Sequence, residues 1–260
     1  MLGRDVVAAA ESAGHDVIAL ARADLDITDA DAVRAAIADA RPDAVVNCAA
    51  WTDVDGAEAE EEAATRINGD GAGNLAAAAP FLVHVSSDYV FDGTATQPYT
   101  EGDPTGPRTA YGRSKLAGEH AVAEQGEHAI VRTAWVFGPH GKNFIATMLK
   151  LAEDRDEVRV VADQIGCPTF TGHLAGALVR LAGTEDYGVH HVAAAGSCSW
   201  FEFAREIFAR AGSDTRVEPC TTADFPRPAP RPANSVLESE RGNRLPTWQE
   251  GLDAYLGVRV

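Results

Sequence analysis

The chain predicts an α/β fold: a doubly wound parallel sheet with a smaller, interleaved substrate-binding lobe. Three observations carry that expectation. Helical and strand patterns alternate over the first half of the 260 residues, as β-α units feeding one parallel sheet do. The strand candidates are short apolar runs, the pattern of strands covered on both faces. From about Gly138 the loops lengthen and carry polar and aromatic residues, as in Gly141-Lys142-Asn143-Phe144 and Asp163-Gln164-Ile165-Gly166-Cys167-Pro168-Thr169. The expected division is 1–137 for dinucleotide binding and 138–260 mainly for substrate, with a return to the main sheet near 188–194.

In chain order, Leu2 to Ala13 reads as a helix with Gly14 as its C′ glycine. Asp16 to Leu20 reads as a short strand. Thr28 reads as the N-cap of the next helix, with Asp31 at the capping-box position. Asp43 to Asn47 is a buried strand, and Ala57 to Ala79 a long helix broken by Gly69, Gly71 and Gly73. Phe81 to Val85 is a strand, Tyr111 to Glu124 a helix, and Ala129 to Trp135 a strand. Gly188 to Ala194 and Trp200 to Ala211 follow as strand and helix. Phe225 to Pro232, with four prolines, is a loop or extended segment.

Charge and cysteine usage narrow the function classes. The net charge is −17, and the 22 basic residues include only three lysines, Lys115, Lys142 and Lys150. Such a surface repels nucleic-acid phosphates and argues against DNA or RNA as a partner. An acidic, lysine-poor, alanine-rich composition reads as adaptation to high intracellular salt, which screens like charges. No apolar run reaches the ~20 residues that span a bilayer, and no signal peptide is visible; cytoplasmic residence is the expectation. Cys48, Cys167, Cys198 and Cys220 lie far apart with no C-x-x-C and read as reduced and mostly buried. The eight histidines form no H-x-x-x-H, and adjacent His190 and His191 would face opposite sides of a strand, so no metal site is expected.

The chemistry concentrates in Ser86-Ser87-Asp88-Tyr89-Val90-Phe91-Asp92-Gly93 and Tyr111-Gly112-Arg113-Ser114-Lys115. A hydroxyl sits at a strand end, and a Tyr and a Lys follow one helical turn apart on one face. With 5 Tyr and 3 Lys, chance gives roughly 0.06 Y-x-x-x-K matches. The set suits proton delivery to a carbonyl that is receiving a hydride. Tyr111 is the general acid, Lys115 lowers its pKa by a nearby positive charge, and Ser87 hydrogen-bonds the developing oxyanion.

A dinucleotide fold opens with a strand, a glycine-rich loop and a helix whose N-terminus faces pyrophosphate. Met1-Leu2-Gly3-Arg4-Asp5 reads as the tail of that loop, with Gly3 its remaining glycine. The first strand and earlier glycines are expected but missing, either because the reading frame is opened late or because the chain is short. Asn47-Cys48-Ala49-Ala50-Trp51 follows a strand, where small residues let backbone approach a cofactor. After the Val17–Leu20 run stands Arg22 rather than an acid, which tilts the expectation to NADPH, with NADH the alternative.

With Leu25-Asp26-Ile27-Thr28, Pro42 to Asn47, Ala49 to Asp55, Ser86 to Gly93, Tyr111 to Glu119, Arg132 to Phe137, Arg231-Pro232-Ala233-Asn234-Ser235 and Leu245-Pro246-Thr247-Trp248 in view, the chain resembles the dTDP-4-dehydrorhamnose reductases of the extended short-chain dehydrogenase/reductase superfamily. Tyr-x-x-x-Lys is common to the superfamily; the Ser-Asp-Tyr-Val-Phe-Asp-Gly and Arg-Pro-Ala-Asn-Ser segments are more specific. The resemblance implies a Rossmann-like fold and NAD(P)H-dependent reduction of the C4 ketone of dTDP-4-dehydro-L-rhamnose to dTDP-L-rhamnose, a glycan precursor. It implies Ser87, Tyr111 and Lys115 as the catalytic set. Asp26, Ala49, Ala50, Thr52 and Ser86 would border the cofactor beside Gly3 and Arg22, with Tyr111 and Lys115 reaching it too. Asp88, Val90, Trp135, Asn143 and Gln164 would lie near the sugar nucleotide. By resemblance alone some members use Mg²⁺, and a homodimer is compatible. Ser87 stands where Thr is common in the family, which keeps the hydroxyl.

Two rivals remain open at this point. Another nucleotide-sugar epimerase or reductase shares the core motifs, but a 4,6-dehydratase needs an acidic pair after the strand-end hydroxyl, and here Asp88-Tyr89 leaves it incomplete. A non-catalytic, dinucleotide-binding regulatory subunit is the rival from a different class; it has no chemical need for Ser87, Tyr111 and Lys115 together.

Overall fold

The computed structural model of the protein describes residues 1–258. Four parallel strands form the main sheet in the order Val45–Asn47, Leu82–Ser87, His128–Thr133, Gly188–His191. Side chains alternate across these strands, and each face is covered. Val83, Ala129 and Val131 pack with Val6, Leu174 and Leu178 from the helices Leu2–Ser12 and Thr171–Ala182. On the other face Leu82 and Ile130 pack with Val33, Leu75 and Val122. Those come from Ala30–Ala40, Gly71–Ala78 and Ala110–Ala123. The doubly wound expectation holds. The return to the sheet is Gly188–His191, and the chain then leaves it for a parallel pairing of Ala193–Ala195 with Arg244–Thr247.

A separate apolar cluster sits in the later part of the chain. Phe137, Ile145, Met148, Phe170, Phe203, Ile207, Leu252 and Tyr255 are all buried in it. The helix Trp200–Ala211 that supplies much of this core starts at a full capping box between Ser199 and Glu202. It ends at Gly212, whose φ is +66°.

Three local expectations are corrected. Asp16–Leu20 is not a strand, and Ile18 and Leu20 are 65% and 51% exposed. A strand needs a neighbour to exchange hydrogen bonds. Val45–Asn47 is the outer strand of the sheet, and no described strand lies beside Asp16–Leu20. The N-cap of Ala30–Ala40 is Asp29, which accepts from the N–H groups of Asp31 and Ala32 at 3.0 Å. Thr28 is instead held by Asp26, whose Oδ1 accepts from both its N–H and its hydroxyl. The long helix expected over Ala57–Ala79 is divided: Val54–Ala57, Glu61–Thr65, a π-helical stretch Arg66–Asp70, then Gly71–Ala78. Glycine content alone does not reveal that wide turn, which tertiary hydrogen bonds of Asn68 hold open.

Candidate active site

Ser87 is the last residue of the Leu82–Ser87 strand, and Tyr111 and Lys115 lie on the first turns of Ala110–Ala123. Thr109 caps that helix, accepting from Gly112 N–H at 2.9 Å. Gly112 is obligatory there, because a Cβ would stand 2.2 Å from the Tyr89 carbonyl oxygen. The close approach brings the helix start onto the turn after the strand. Tyr111 lies near enough to Ser87 for the serine hydroxyl to favour its ionised form, and it meets the ring of Tyr89 edge-on, 5.4 Å between centroids.

Lys115 is 2% exposed, and its Nζ donates to the Val85 carbonyl at 2.7 Å. Burial pulls its pKa down to about 8, with Glu119 opposing that pull. Burial likewise pushes the Tyr111 phenol up to about 12; the nearby Ser87 hydroxyl works the other way. Asp88 is 3% exposed, and burial raises its carboxyl to about 6. Ser87 Oγ donates to Asp88 Oδ1 at 2.7 Å, while Oδ2 is buried with no hydrogen-bond partner. The Ser235 hydroxyl is near enough to favour the carboxylate but makes no hydrogen bond to Oδ2. Thus a serine hydroxyl bonded to a carboxyl stands next to a phenol and a buried ammonium: a set that can orient and protonate an oxygen placed against Tyr111 and Ser87.

On the cofactor side, the loop Cys48–Thr52 leaves the outer strand with Ala49 and Thr52 exposed and Ala50 part-exposed. Ala49 N–H donates to Asn47 Oδ1 at 2.9 Å. The π-helical Asn68 locks the same loop: its Oδ1 accepts from Trp51 N–H at 2.8 Å, and its Nδ2 donates to Ser114 Oγ at 2.8 Å. Gly3, in the first turn of Leu2–Ser12, faces Cys48, with 3.6 Å from a built Cβ to Cys48 Cβ. Asp26 and Arg22 are exposed near each other, and the Thr28 hydrogen bonds and then Arg22 hold Asp26 below its ordinary range. A strand-end loop with little side chain in front of it, next to Tyr111 and Lys115, fits a dinucleotide whose nicotinamide end reaches those two side chains. Ser86 differs from the others. Its side chain points to the opposite face from Ser87 and gives its hydroxyl to Glu119 at 2.5 Å, so only its backbone is free to border a cofactor.

The residues expected near the sugar nucleotide are placed unequally. Trp135 follows the third strand of the sheet with φ +47°, a left-handed conformation costly for a bulky side chain. Its ring is stacked on Trp200 and backed by Gly166, where a Cβ would meet the indole at 2.3 Å. Gln164 is 8% exposed and donates to Thr222 Oγ1 at 3.0 Å. Asn143 caps Phe144–Asp154, accepting from Ala146 N–H at 2.9 Å and donating to the Gly138 carbonyl at 2.8 Å. Val90 is fully buried with Phe91, Tyr99 and Leu237, so its side chain belongs to an apolar cluster.

Sequence reasoning missed Asn68, Glu119 with Arg132, and Trp200. Asn68 has no local signal, because its role follows from the wide turn. Glu119 stood in plain sight, one turn beyond Lys115. No described group of three or more His, Cys, Asp or Glu residues is placed to hold a metal ion.

The RmlD substrate binding domain family matches residues 1–259. A dTDP-4-dehydrorhamnose reductase of Streptomyces griseus is 47% identical over 253 residues, 93% of this chain and 83% of that protein. The crystal structure of a dTDP-4-dehydrorhamnose reductase from Clostridium acetobutylicum superposes with a TM-score of 0.96 at 42% identity, covering 99% of this chain and 95% of that one. The same enzyme from Bacillus anthracis, in complex with NADP, gives a TM-score of 0.95 at 38% identity over 100% and 95% of the two chains. With the family model matching residues 1–259 and a relative 47% identical over 93% of the chain, the chain belongs to the RmlD substrate binding domain family.

Proposed function

We propose that this protein is an NADPH-dependent reductase of the C4 ketone of dTDP-4-dehydro-L-rhamnose, yielding dTDP-L-rhamnose for glycan precursor synthesis. The observation that carries the reading is the convergence of Ser87, Tyr111 and Lys115 at the end of the Leu82–Ser87 strand. Relatives at 47% and 42% identity carry the reductase name, and one related structure holds NADP. When bound, NADPH supplies the hydride. Ser87 orients the ketone oxygen, and Tyr111 gives it a proton as the oxygen gains charge. Lys115 holds positive charge beside that transfer and binds the nicotinamide ribose. Ala49, Ala50, Thr52 and the Ser86 backbone border the cofactor, with Gly3, Arg22 and Asp26 towards its far end.

The segment 1–137 is the cofactor side in this reading, and 138–260 contributes most of the sugar-nucleotide side. Trp135 offers an apolar wall to the deoxysugar face, and Asp88 and Gln164 offer polar atoms. Cytoplasmic residence and tolerance of high salt fit the −17 charge. The test is loss of NADPH absorbance in molar KCl with dTDP-4-dehydrorhamnose as substrate. The unaltered protein should turn over, and Tyr111→Phe should lose turnover while still binding the sugar nucleotide. Near-normal turnover by Tyr111→Phe would sink the assignment.

A further inference from the structure

Lys115 and Glu119 stand one turn apart on Ala110–Ala123 and reach consecutive residues of one strand. Lys115 Nζ donates to the Val85 carbonyl, and Glu119 Oε1 accepts from Ser86 Oγ. The two charged heads therefore reach neighbouring points of the strand end that carries Ser87, close enough for Glu119 to favour the charged form of Lys115 though no ion pair joins them. Glu119 is held from the far side by Arg132, whose Nε and Nη2 donate to its oxygens at 3.0 Å and 2.7 Å, and both side chains are almost wholly buried. Arg132 also lies over the Phe91 ring, 5.0 Å from its centroid, and approaches His191 Nε2 at 3.5 Å.

A buried ion pair of this kind is a poor stabiliser. Desolvating two charges costs several kcal/mol per ion, and apolar replacements of equal volume often do as well or better. The position of the pair gives it a different use. The titratable groups that face Lys115 come from three elements. Glu119 comes from its own helix, on which Tyr111 stands one turn before Lys115, His84 from the Leu82–Ser87 strand, and Cys48 from the loop after Val45–Asn47. Burial keeps His84 neutral by lowering its pKa well below the ordinary value, and pushes the Cys48 thiol up to about 12. Tyr111 is neutral for the same reason. The Arg132-paired carboxylate of Glu119 is thus the anionic neighbour that can sustain a cation at Lys115.

We propose that Glu119 is a positioning residue for the reaction: pinned by Arg132 and Ser86, its carboxylate keeps the Lys115 ammonium charged and seated on the Val85 carbonyl through neutral pH. Arg132 serves in turn as the clamp that fixes the carboxylate. The inference rests on the proposed reductase reading for the importance of Lys115, but the electrostatic link stands without it.

The test uses lysine-selective NMR, which is simple here because the chain has only three lysines, Lys115, Lys142 and Lys150. The full-length protein is titrated as the unaltered chain, as Glu119→Gln, and as Glu119→Gln with Arg132→Met. The double variant leaves no uncompensated charge and keeps the fold testable if the single one does not fold. In each folded variant the Lys115 midpoint should fall by about one pH unit, with Lys142 and Lys150 unmoved. The alkaline limb of kcat should fall by the same amount, with KM for the sugar nucleotide little changed. A Lys115 midpoint that stays put in the double variant overturns the proposal. If the unaltered protein lacks reductase activity, the functional reading fails, while the NMR titration still decides the role of Glu119.

Discussion

Trp135 lies flat on Trp200, with ring centroids 3.6 Å apart and planes within 3°. Phe144 leans on the other side of the cluster, its centroid 4.6 Å from that of Trp200. The stack holds a tryptophan whose backbone sits at φ +47°, so Trp200 offsets strain as well as adding contact area. Trp200→Ala should cost about 2–4 kcal/mol in chemical denaturation. It should also raise KM for the sugar nucleotide at least severalfold with a smaller change in kcat. Unchanged KM with intact folding would remove Trp135 from the substrate wall.

The carboxyl of Asp88 is raised by burial to about 6 from an ordinary value near 3.8. Its acid form is therefore the one the fold prefers. That preference contributes stability that is fully present below the unfolded carboxyl pKa and is lost as pH rises through about 6. Two pKa units correspond to about 3 kcal/mol. Asp88→Asn should match the unaltered protein near pH 3.5 and exceed it by up to about 3 kcal/mol at pH 7. Urea titrations at both values check this; an equal difference at both would show that Asp88 titrates normally.

Gly118 and Gly176 give opposite expectations for one substitution. A Cβ at Gly118 would stand 2.1 Å from the Asn68 carbonyl oxygen, which is backbone inside the wide turn. Gly118→Ala should cost about 2–3 kcal/mol and loosen the loop at Trp51 that Asn68 anchors, weakening NADPH binding. At Gly176 the nearest atom is the mobile Arg180 guanidinium at 3.6 Å, so Gly176→Ala should stabilise by about 0.5–1 kcal/mol. Paired thermal melts would settle both; equal effects would discredit the close approach of Gly118 to Asn68.

The charge of −17 predicts a melting temperature that climbs as KCl goes from millimolar to molar. Screening removes repulsion among exposed carboxylates, whereas the buried Arg132–Glu119 pair is little affected. A flat dependence on KCl would rule out salt adaptation as the reason for this composition.

Much of this site was legible in local order. Ser87, Tyr111 and Lys115 are found because strand end and helix period together dictate where their side chains go, and those rules are short in range. Thr28 misled because it is as good a capping residue as Asp29, and only the backbone geometry separates them. Asp16–Leu20 misled because a short apolar run describes a strand only if another strand is there to receive it. Asn68 and Trp200 were invisible for a third reason: each acts through a partner distant in sequence, Trp51 and Trp135 respectively. Asn143 and Ser86 were found by position, yet the structure gives their side chains to a helix cap and to Glu119.

The packing of Leu2–Ser12 against Thr171–Ala182 has a consequence for the order in which the molecule is made. Val6 emerges from the ribosome long before Leu174 and Leu178, and the strand that flanks His128–Thr133 arrives later still, at Gly188–His191. Contacts so distant along the chain close slowly, so the side of the first helix that meets Thr171–Ala182 stays uncovered through most of synthesis. A nascent chain stalled before the final third should be a client for chaperones and an easy target for proteases.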